Sequence, residues 1–446
     1  MSLTNFLSKS RGPGNLVARI RSILSRFSVS SAKYEDLLRR YSDITRQAGL
    51  KPTLPITAVT LKRHPGLIRE LCQQGVEFAV HGYIHTDYNV LSMTEQKRHY
   101  KKAVDIFKDC QIPFTGFRAP FIRVNDNTLR ALRDLGFFYD SSSAVHWEVI
   151  NKGKFARNSW AEYERVLDYY KPRQAQHCLA LPRSFDGIIE IPLSMPDDEI
   201  MVDRLGITDK GEISDIWMAI LDKTYSLGEL FTIQLHPERI LYCESALLNV
   251  IREAHKLKPS VWVASLQEIA DWWREKDRFD FKIRHLGDNT YGVQADCSDR
   301  ATILLKNCKA NVPVKEWFDG YQSIADRDFV IESPKRPVIG VGRDSSSAAI
   351  KFLKSEGYII EPGTESDNCE IYLGDLKQFN ETDEKRLSRE IESSGAPLLR
   401  YWRWPDQARS ACSITGDIDS ITLIDFVLRI FENWRQGVRC QVTQRC

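Results

Sequence analysis

The stretch "SACSITGDIDS", residues 410–420, decides how this chain is read. "SACSIT" reads as a strand, "GDIDS" as the acidic turn at its end, and "SITLIDFVLRIFENWR" as a helix. Strand, turn and helix in that order open a parallel α/β unit. The sequence ends at residue 446, before the rest of such a domain. A lone strand and helix bury no core of their own. The strand therefore needs a sheet built by residues far upstream.

Residues 33–276 supply one. "KYEDLLRRYSDITRQA" has apolar positions at helical spacing and stops at Gly49. "KPTLPITAV" reads as a buried strand weakened by Pro52 and Pro55. The helix "HPGLIRELCQQG" and the strand "VEFAV" follow, and the alternation continues through "TEQKRHYKKAVDIFKDC", "TGFRAPF", "NDNTLRALRDLG" and "FFYDSS". It runs on through "GIIEIPLS", "LFTIQLH", "VWVAS" and "LQEIADWWREK". This pattern predicts an α/β fold with a parallel sheet, either a barrel or doubly wound. Near residue 280 short alternating strands with turn dipeptides take over, which predicts a small β-rich module. "RPVIGVGRDSSSAAIKFLKSEGYIIE" then reads as strand, turn, helix and strand. Its Gly340 and Gly342 lack the third glycine of a dinucleotide loop, so a tight turn is the better reading.

Chemistry in such folds sits where strands end. His81 and His85 lie four apart in "FAVHGYIHTDY", residues 78–88. If that segment is helical, both imidazoles share one face and reach one ion. Arg118 in "GFRAPF", Asp140 in "FYDSS", His236 in "FTIQLHPE", and Asp417 with Asp419 in "GDIDS" also fall at strand ends. Each has a plainer reading. Arg118 fits a structural ion pair, Asp140 a helix cap, His236 a satisfied core histidine, and the aspartates ordinary turn chemistry. Their joint order along the chain favours a site.

That order resembles the NodB-type polysaccharide deacetylases, carbohydrate esterase family 4. "HGYIH", "RAPF", "YDSS" and "LH" stand in the family's sequence, and the likeness spans roughly residues 15 to 275. The departure is equally informative. The family's first motif, an acidic pair on its first strand, should precede residue 30, yet the first aspartate is Asp36. "SACSITGDIDS" looks like that motif at the other end of the chain. The resemblance is thus to a circularly permuted deacetylase, which is physically tolerable because a strand needs only to be placed, not to come first. A truncated tandem, with a second deacetylase domain beginning at residue 405 and cut off at 446, is the rival.

The resemblance implies a distorted (β/α) barrel with inserted small segments. We expect most of the barrel in 15–279, a β-rich module in 280–335, a small α/β unit in 336–403, and a strand and helix completing the barrel in 404–446. It implies a metal-dependent amidohydrolase that removes acetyl groups from an N-acetylated or O-acetylated carbohydrate. Asp419, His81 and His85 would hold a divalent metal, zinc first, since two imidazoles and one carboxylate suit it. Asp417 would be the general base with Arg118 as its partner. His236 would be the acid, oriented by Asp140. Tyr83, Phe121 and Trp147 would wall the sugar, Leu235 would line the acetyl pocket, and the backbone N–H of Phe121 would face the oxyanion. Two other classes stay open: a catalytically silent carbohydrate-binding protein, and a glycosyltransferase using "DID" to hold a nucleotide-sugar through a metal.

Composition excludes little more. With 62 basic and 60 acidic residues the net charge is +2, which gives no reason to expect nucleic acid. No run is long and apolar enough to span a membrane. The basic N-terminus lacks the continuous apolar core of a secretory signal, so a cytoplasmic location is the expectation. "NLVARIRSILSRF" reads as an amphipathic helix packed on the protein body. The ten cysteines are scattered without a CxxC pair, which argues against both a zinc ribbon and a disulfide framework. Oligomeric state is not readable.

Overall fold

The computed structural model describes residues 27–363 and 369–435. The N-terminal amphipathic segment therefore lies outside the described residues apart from Phe27, as does the end of the expected 404–446 unit.

The main sheet has nine strands and curls into an open, distorted barrel. Its order runs Leu230–Gln234, Ser410–Thr415, Thr53–Ile56, Glu77–Val80, Gly116–Phe117, Tyr139–Asp140, Ile188–Glu190, Arg183–Phe185. Val261–Val263 also pairs with Ser410–Thr415. Every pairing is parallel except the last, between Ile188–Glu190 and Arg183–Phe185. Helices expected from the apolar periodicity connect the strands. Met93–Asp109 starts at a Ser92–Glu95 capping box, and Asp126–Asp134 is capped by Asn125. A small parallel sheet, with Leu193–Met195 and Arg173–Gln174 flanking Ala144–His146, adjoins the barrel. There the Thr232 N–H donates to Ser194 Oγ at 3.3 Å.

Ser410–Thr415 is thus a central strand, although it is read near the end of the chain. All six of its residues are buried, which fits a parallel strand covered on both faces. Leu230 to Gln234 pair in register with Ala411 to Thr415. On the other side the contact with Thr53–Ile56 is looser: Thr53 pairs with Thr415, and Ile56 bridges Ile418. Pro55 has no N–H to offer, but its carbonyl accepts from the Ile418 N–H at 2.8 Å. Gly416 is held by close approach. A Cβ there would lie 2.0 Å from the Leu235 carbonyl oxygen.

Beyond residue 280 lie two four-stranded sheets whose pairings are antiparallel, and a three-stranded parallel one centred on Arg336–Val341. The pairing crosses the spans read from texture: Leu398–Tyr401 joins the antiparallel sheet through Ile303–Lys306. "YWRWPDQARS" ties this region to the barrel as a packed hinge. Trp404 is fully buried and donates from Nε1 to the Gly228 carbonyl at 2.8 Å. Trp272 Nε1 donates to the Arg403 carbonyl at 2.8 Å. Truncating a ring so enclosed costs about 3–5 kcal/mol. The cysteines among the described residues are all free thiols. None of the described helices is long and apolar enough to cross a membrane.

Candidate active site

At the C-terminal end of the parallel strands, two segments far apart in the sequence meet. His81 follows Glu77–Val80, and Asp417 follows Ser410–Thr415. His81 Nε2 lies 3.3 Å from Asp419 Oδ1 and 3.8 Å from Asp417 Oδ2. His85 Nε2 lies 3.2 Å from Asp419 Oδ2. One donor atom from each of His81, His85 and Asp419 falls within 4.8 Å of the others.

The histidines meet without the helix on which their spacing would have placed them on one face. Residues 81–87 form no helix. The turn is made by Gly82 at φ +77°, where a Cβ would lie 2.7 Å from the Tyr88 ring. Only glycine combines that left-handed backbone with that approach. The Tyr88 hydroxyl also accepts from the Tyr83 N–H at 2.9 Å, which pins the loop.

The donor set fits a divalent cation. The Nδ1 of His81 is 2.9 Å from the Arg118 carbonyl. A carbonyl only accepts, so Nδ1 carries the proton and Nε2 keeps its lone pair, the arrangement of a metal-ligating imidazole. Asp419 Oδ1 and His85 Nδ1 are buried without a hydrogen-bond partner. Burial, reinforced by the charge of Arg429, holds His85 well below the usual histidine range. Burial alone would raise the Asp419 carboxyl, but His85 and Arg429 outweigh it and hold Asp419 well below the carboxylate range. Neutral imidazole and ionised carboxylate are the ligand forms a cation needs.

Arg118 is fully buried and links four strands. Its Nη1 donates to Asp417 Oδ1 at 3.0 Å and to Thr415 Oγ1 at 2.9 Å, and also to Gln234 Oε1. Its Nε and Nη2 donate to the carbonyl and hydroxyl of Ser141 at 3.0 and 2.9 Å. The guanidinium is thus fixed from two directions and aims one nitrogen at Asp417.

His236 stands two residues beyond the end of Leu230–Gln234, the strand beside Ser410–Thr415. Its orienting carboxylate is Asp198, not Asp140. His236 Nδ1 donates to Asp198 Oδ1 at 2.9 Å, and the His236 N–H donates to Oδ2 at 2.8 Å. Arg239 also reaches Asp198, at 3.3 Å. Burial works against a charged imidazole, but the Asp198 carboxylate prevails and raises His236 well above its usual range. Asp140 instead accepts from Ser142 Oγ, which in turn accepts from the Ala119 N–H at 2.8 Å. It braces the loop after Arg118.

The expected walls divide. The Phe121 ring stands edge-on to His85 at 4.5 Å, on a left-handed backbone with φ +60°. Tyr83 is half-buried, with His99 and Lys102 against its ring. Trp147 is only 2% exposed, with Lys385 over its ring, so it belongs to the core rather than to an open groove. Leu235 is fully buried, and its carbonyl faces Gly416. Sequence reading missed Asp198, Gln234 and Ser141, and two residues of the last helix, Arg429 and Asn433. Asp198 does follow the strand Leu193–Met195, which is the signal that would have found it.

Residues 29–139 match the model of the polysaccharide deacetylase family. The resemblance to polysaccharide deacetylases is thus borne out over the segment that carries His81, His85 and Arg118. The chain is similar to the peptidoglycan deacetylase-like protein FGM2 of Gibberella zeae, at 31% identity over 98 residues. That match covers 22% of this chain and 29% of the relative's length. Among solved structures it resembles a probable polysaccharide deacetylase of Pseudomonas aeruginosa PAO1, at 20% identity and a TM-score of 0.43, over 55% of this chain and 75% of that one. It also resembles Puue allantoinase, at 19% identity and a TM-score of 0.43, over 55% and 74%.

Proposed function

We propose that the protein is a metal-dependent hydrolase that removes acetyl groups from an acetylated carbohydrate, with its barrel circularly permuted. The meeting of His81 and His85 with Asp417 and Asp419 supports this most. Four groups of the right chemistry converge from opposite ends of the sequence onto one end of one sheet.

His81, His85 and Asp419 would hold the ion, and two nitrogens with one oxygen suit zinc. When bound, such an ion polarises an amide carbonyl and acidifies a water beside it. Asp417, aimed by the Arg118 guanidinium, takes a proton from the attacking water. His236 stays protonated beside Asp198 and delivers a proton to the departing amine nitrogen. Phe121 offers a face to the substrate next to His85. The bond broken is the carbon–nitrogen bond of an acetamide, or the carbon–oxygen bond of an acetyl ester. Acetate leaves with the hydroxyl from water, and the amine or alcohol keeps the proton.

Two measurements test the reading. Elemental analysis should find about one divalent ion per chain in the wild type and loss of it in both His81→Ala and Asp419→Ala. Retention by Asp419→Ala would sink the permuted site and favour the truncated tandem. Acetate release from acetylated oligosaccharides should then be present in the wild type and fall by roughly 10²–10⁴-fold in Asp417→Asn. Metal binding without any acetate release would leave a carbohydrate-binding protein of the same fold.

A further inference from the structure

The last helix, Leu423–Arg435, touches two of the three residues that would hold the ion. Arg429 Nη1 donates to Asp419 Oδ2 at 2.9 Å. One turn on, Asn433 Nδ2 donates to the His85 carbonyl at 3.0 Å and to the Arg429 carbonyl at 3.0 Å. The helix is docked independently of these contacts. His64 Nε2 lies 2.9 Å from Asp425 Oδ2, Arg63 donates to Asp425 at 3.2 Å, and Arg63 also pairs with Glu432. Asp419 is further tethered where Thr60 Oγ1 donates to its carbonyl at 3.0 Å.

Arg429 occupies one carboxylate oxygen of Asp419 and leaves the other. Oδ1 is buried, without a hydrogen-bond partner, and is the oxygen nearest His81 Nε2. We propose that Arg429 and Asn433 are positioning residues for the cation: Arg429 sets the rotation of the Asp419 carboxylate, and Asn433 fixes the backbone of His85. This rests on the reading of His81, His85 and Asp419 as a cation site. A guanidinium beside a ligand also repels the ion, so the two effects compete. Arg429 and Asp419 keep 24% and 22% side-chain exposure, so water and salt screen the repulsion. Carboxylate orientation is not screened. Loss of such outer partners usually weakens metal binding by about 10–100-fold.

The helix thereby gives the permuted arrangement a use. The segment that delivers the acidic pair goes on to fix the histidine loop encoded more than three hundred positions earlier.

The test is Zn²⁺ affinity of the full chain, read by competition with a chromophoric chelator. Arg429→Ala and Asn433→Ala should each weaken binding by about 10–100-fold. The Arg429 contact uses one guanidinium nitrogen, so Arg429→Lys should recover most of the loss. Glu432→Gln, which touches Arg63 and no ligand residue, should leave affinity unchanged. Should Arg429→Ala fail to fold, Arg429→Gln takes its place. Unchanged or tighter binding in the Arg429 variants overturns the proposal. Equal weakening in Glu432→Gln overturns it too, because helix docking alone would then be responsible. If the wild type binds no Zn²⁺, the cation-site reading itself fails, and this proposal with it.

Discussion

Arg118 donates from Nη1 to Asp417 Oδ1 at 3.0 Å across 299 positions of the chain. Both side chains are buried, Arg118 completely. Removing one partner from a buried pair leaves an uncompensated charge, which typically costs about 3–5 kcal/mol. Arg118→Ala also strips donors from Thr415, Gln234 and Ser141. Chemical denaturation should show a loss in that range. Replacing both partners, as Arg118→Met with Asp417→Leu, should restore part of the stability and none of the proposed activity. A single variant of wild-type stability would mean that the pair does not hold the strands together.

Gly416 makes a separate prediction about the same junction. Overpacking usually costs about 1–3 kcal/mol, because side chains can give way. Here the added Cβ of Gly416→Ala meets a backbone carbonyl at 2.0 Å. The strands Leu230–Gln234 and Ser410–Thr415 cannot separate without breaking their register. The expected loss therefore lies at or above the top of that range, and it should come with weaker metal binding, since Asp417 and Asp419 follow immediately. A thermal melt and a metal titration on one sample check both. A stable variant with normal metal affinity would show the junction to be slack.

The legibility of this site varied with how each residue is held. His81, Arg118, His236 and Asp417 stand at strand ends, where alternation along the sequence locates them. The strand 410–415 was readable by itself, but its neighbours were not, because pairing between distant segments leaves no periodicity. The same limit hid the pairing of Leu398–Tyr401 with Ile303–Lys306. The four-residue spacing of His81 and His85 would share a face on a helix, but here a positive φ at Gly82 makes the turn that brings them together. Asp140 lies directly at a strand end, whereas Asp198 stands three residues past the strand Leu193–Met195, inside the acidic run "PDDE" that reads as ordinary turn chemistry. Arg429 and Asn433 gave no signal, since polar residues on an amphipathic helix ordinarily face water.

The Asp198–His236 pair predicts a pH effect with a definite sign. An acid that donates to a leaving group must be protonated. Asp198 raises His236 against the pull of burial, so the wild type keeps the proton to higher pH than an ordinary histidine. Asp198→Asn removes that support, and the His236 pKa falls. The alkaline limb of kcat/KM for acetate release should move to lower pH, with a maximal rate reduced by up to about 10²–10⁴-fold. An unchanged alkaline limb would remove His236 from the acid role.

Asp140 predicts a change in stability with pH that needs no substrate. Burial pushes its carboxyl up to about 7, opposed by hydrogen bonds from Ser142. Unfolded, it titrates near 4. Between those values the folded protein holds the extra proton, so stability is greatest below about pH 4 for this group and falls as pH rises toward 7. At about 1.4 kcal/mol per unit of pKa difference, the cost of ionising it in place amounts to a few kcal/mol. Asp140→Asn carries no such proton and should lose that slope. Urea denaturation at pH 5 and pH 8 should show the wild type falling further between the two than the variant does. The amide oxygen of the variant can still accept from Ser142, so the brace on Ala119 should survive. Equal pH dependence in both proteins would mean that Asp140 is ionised in the fold at neutral pH, with a partner yet to be found for its buried Oδ2.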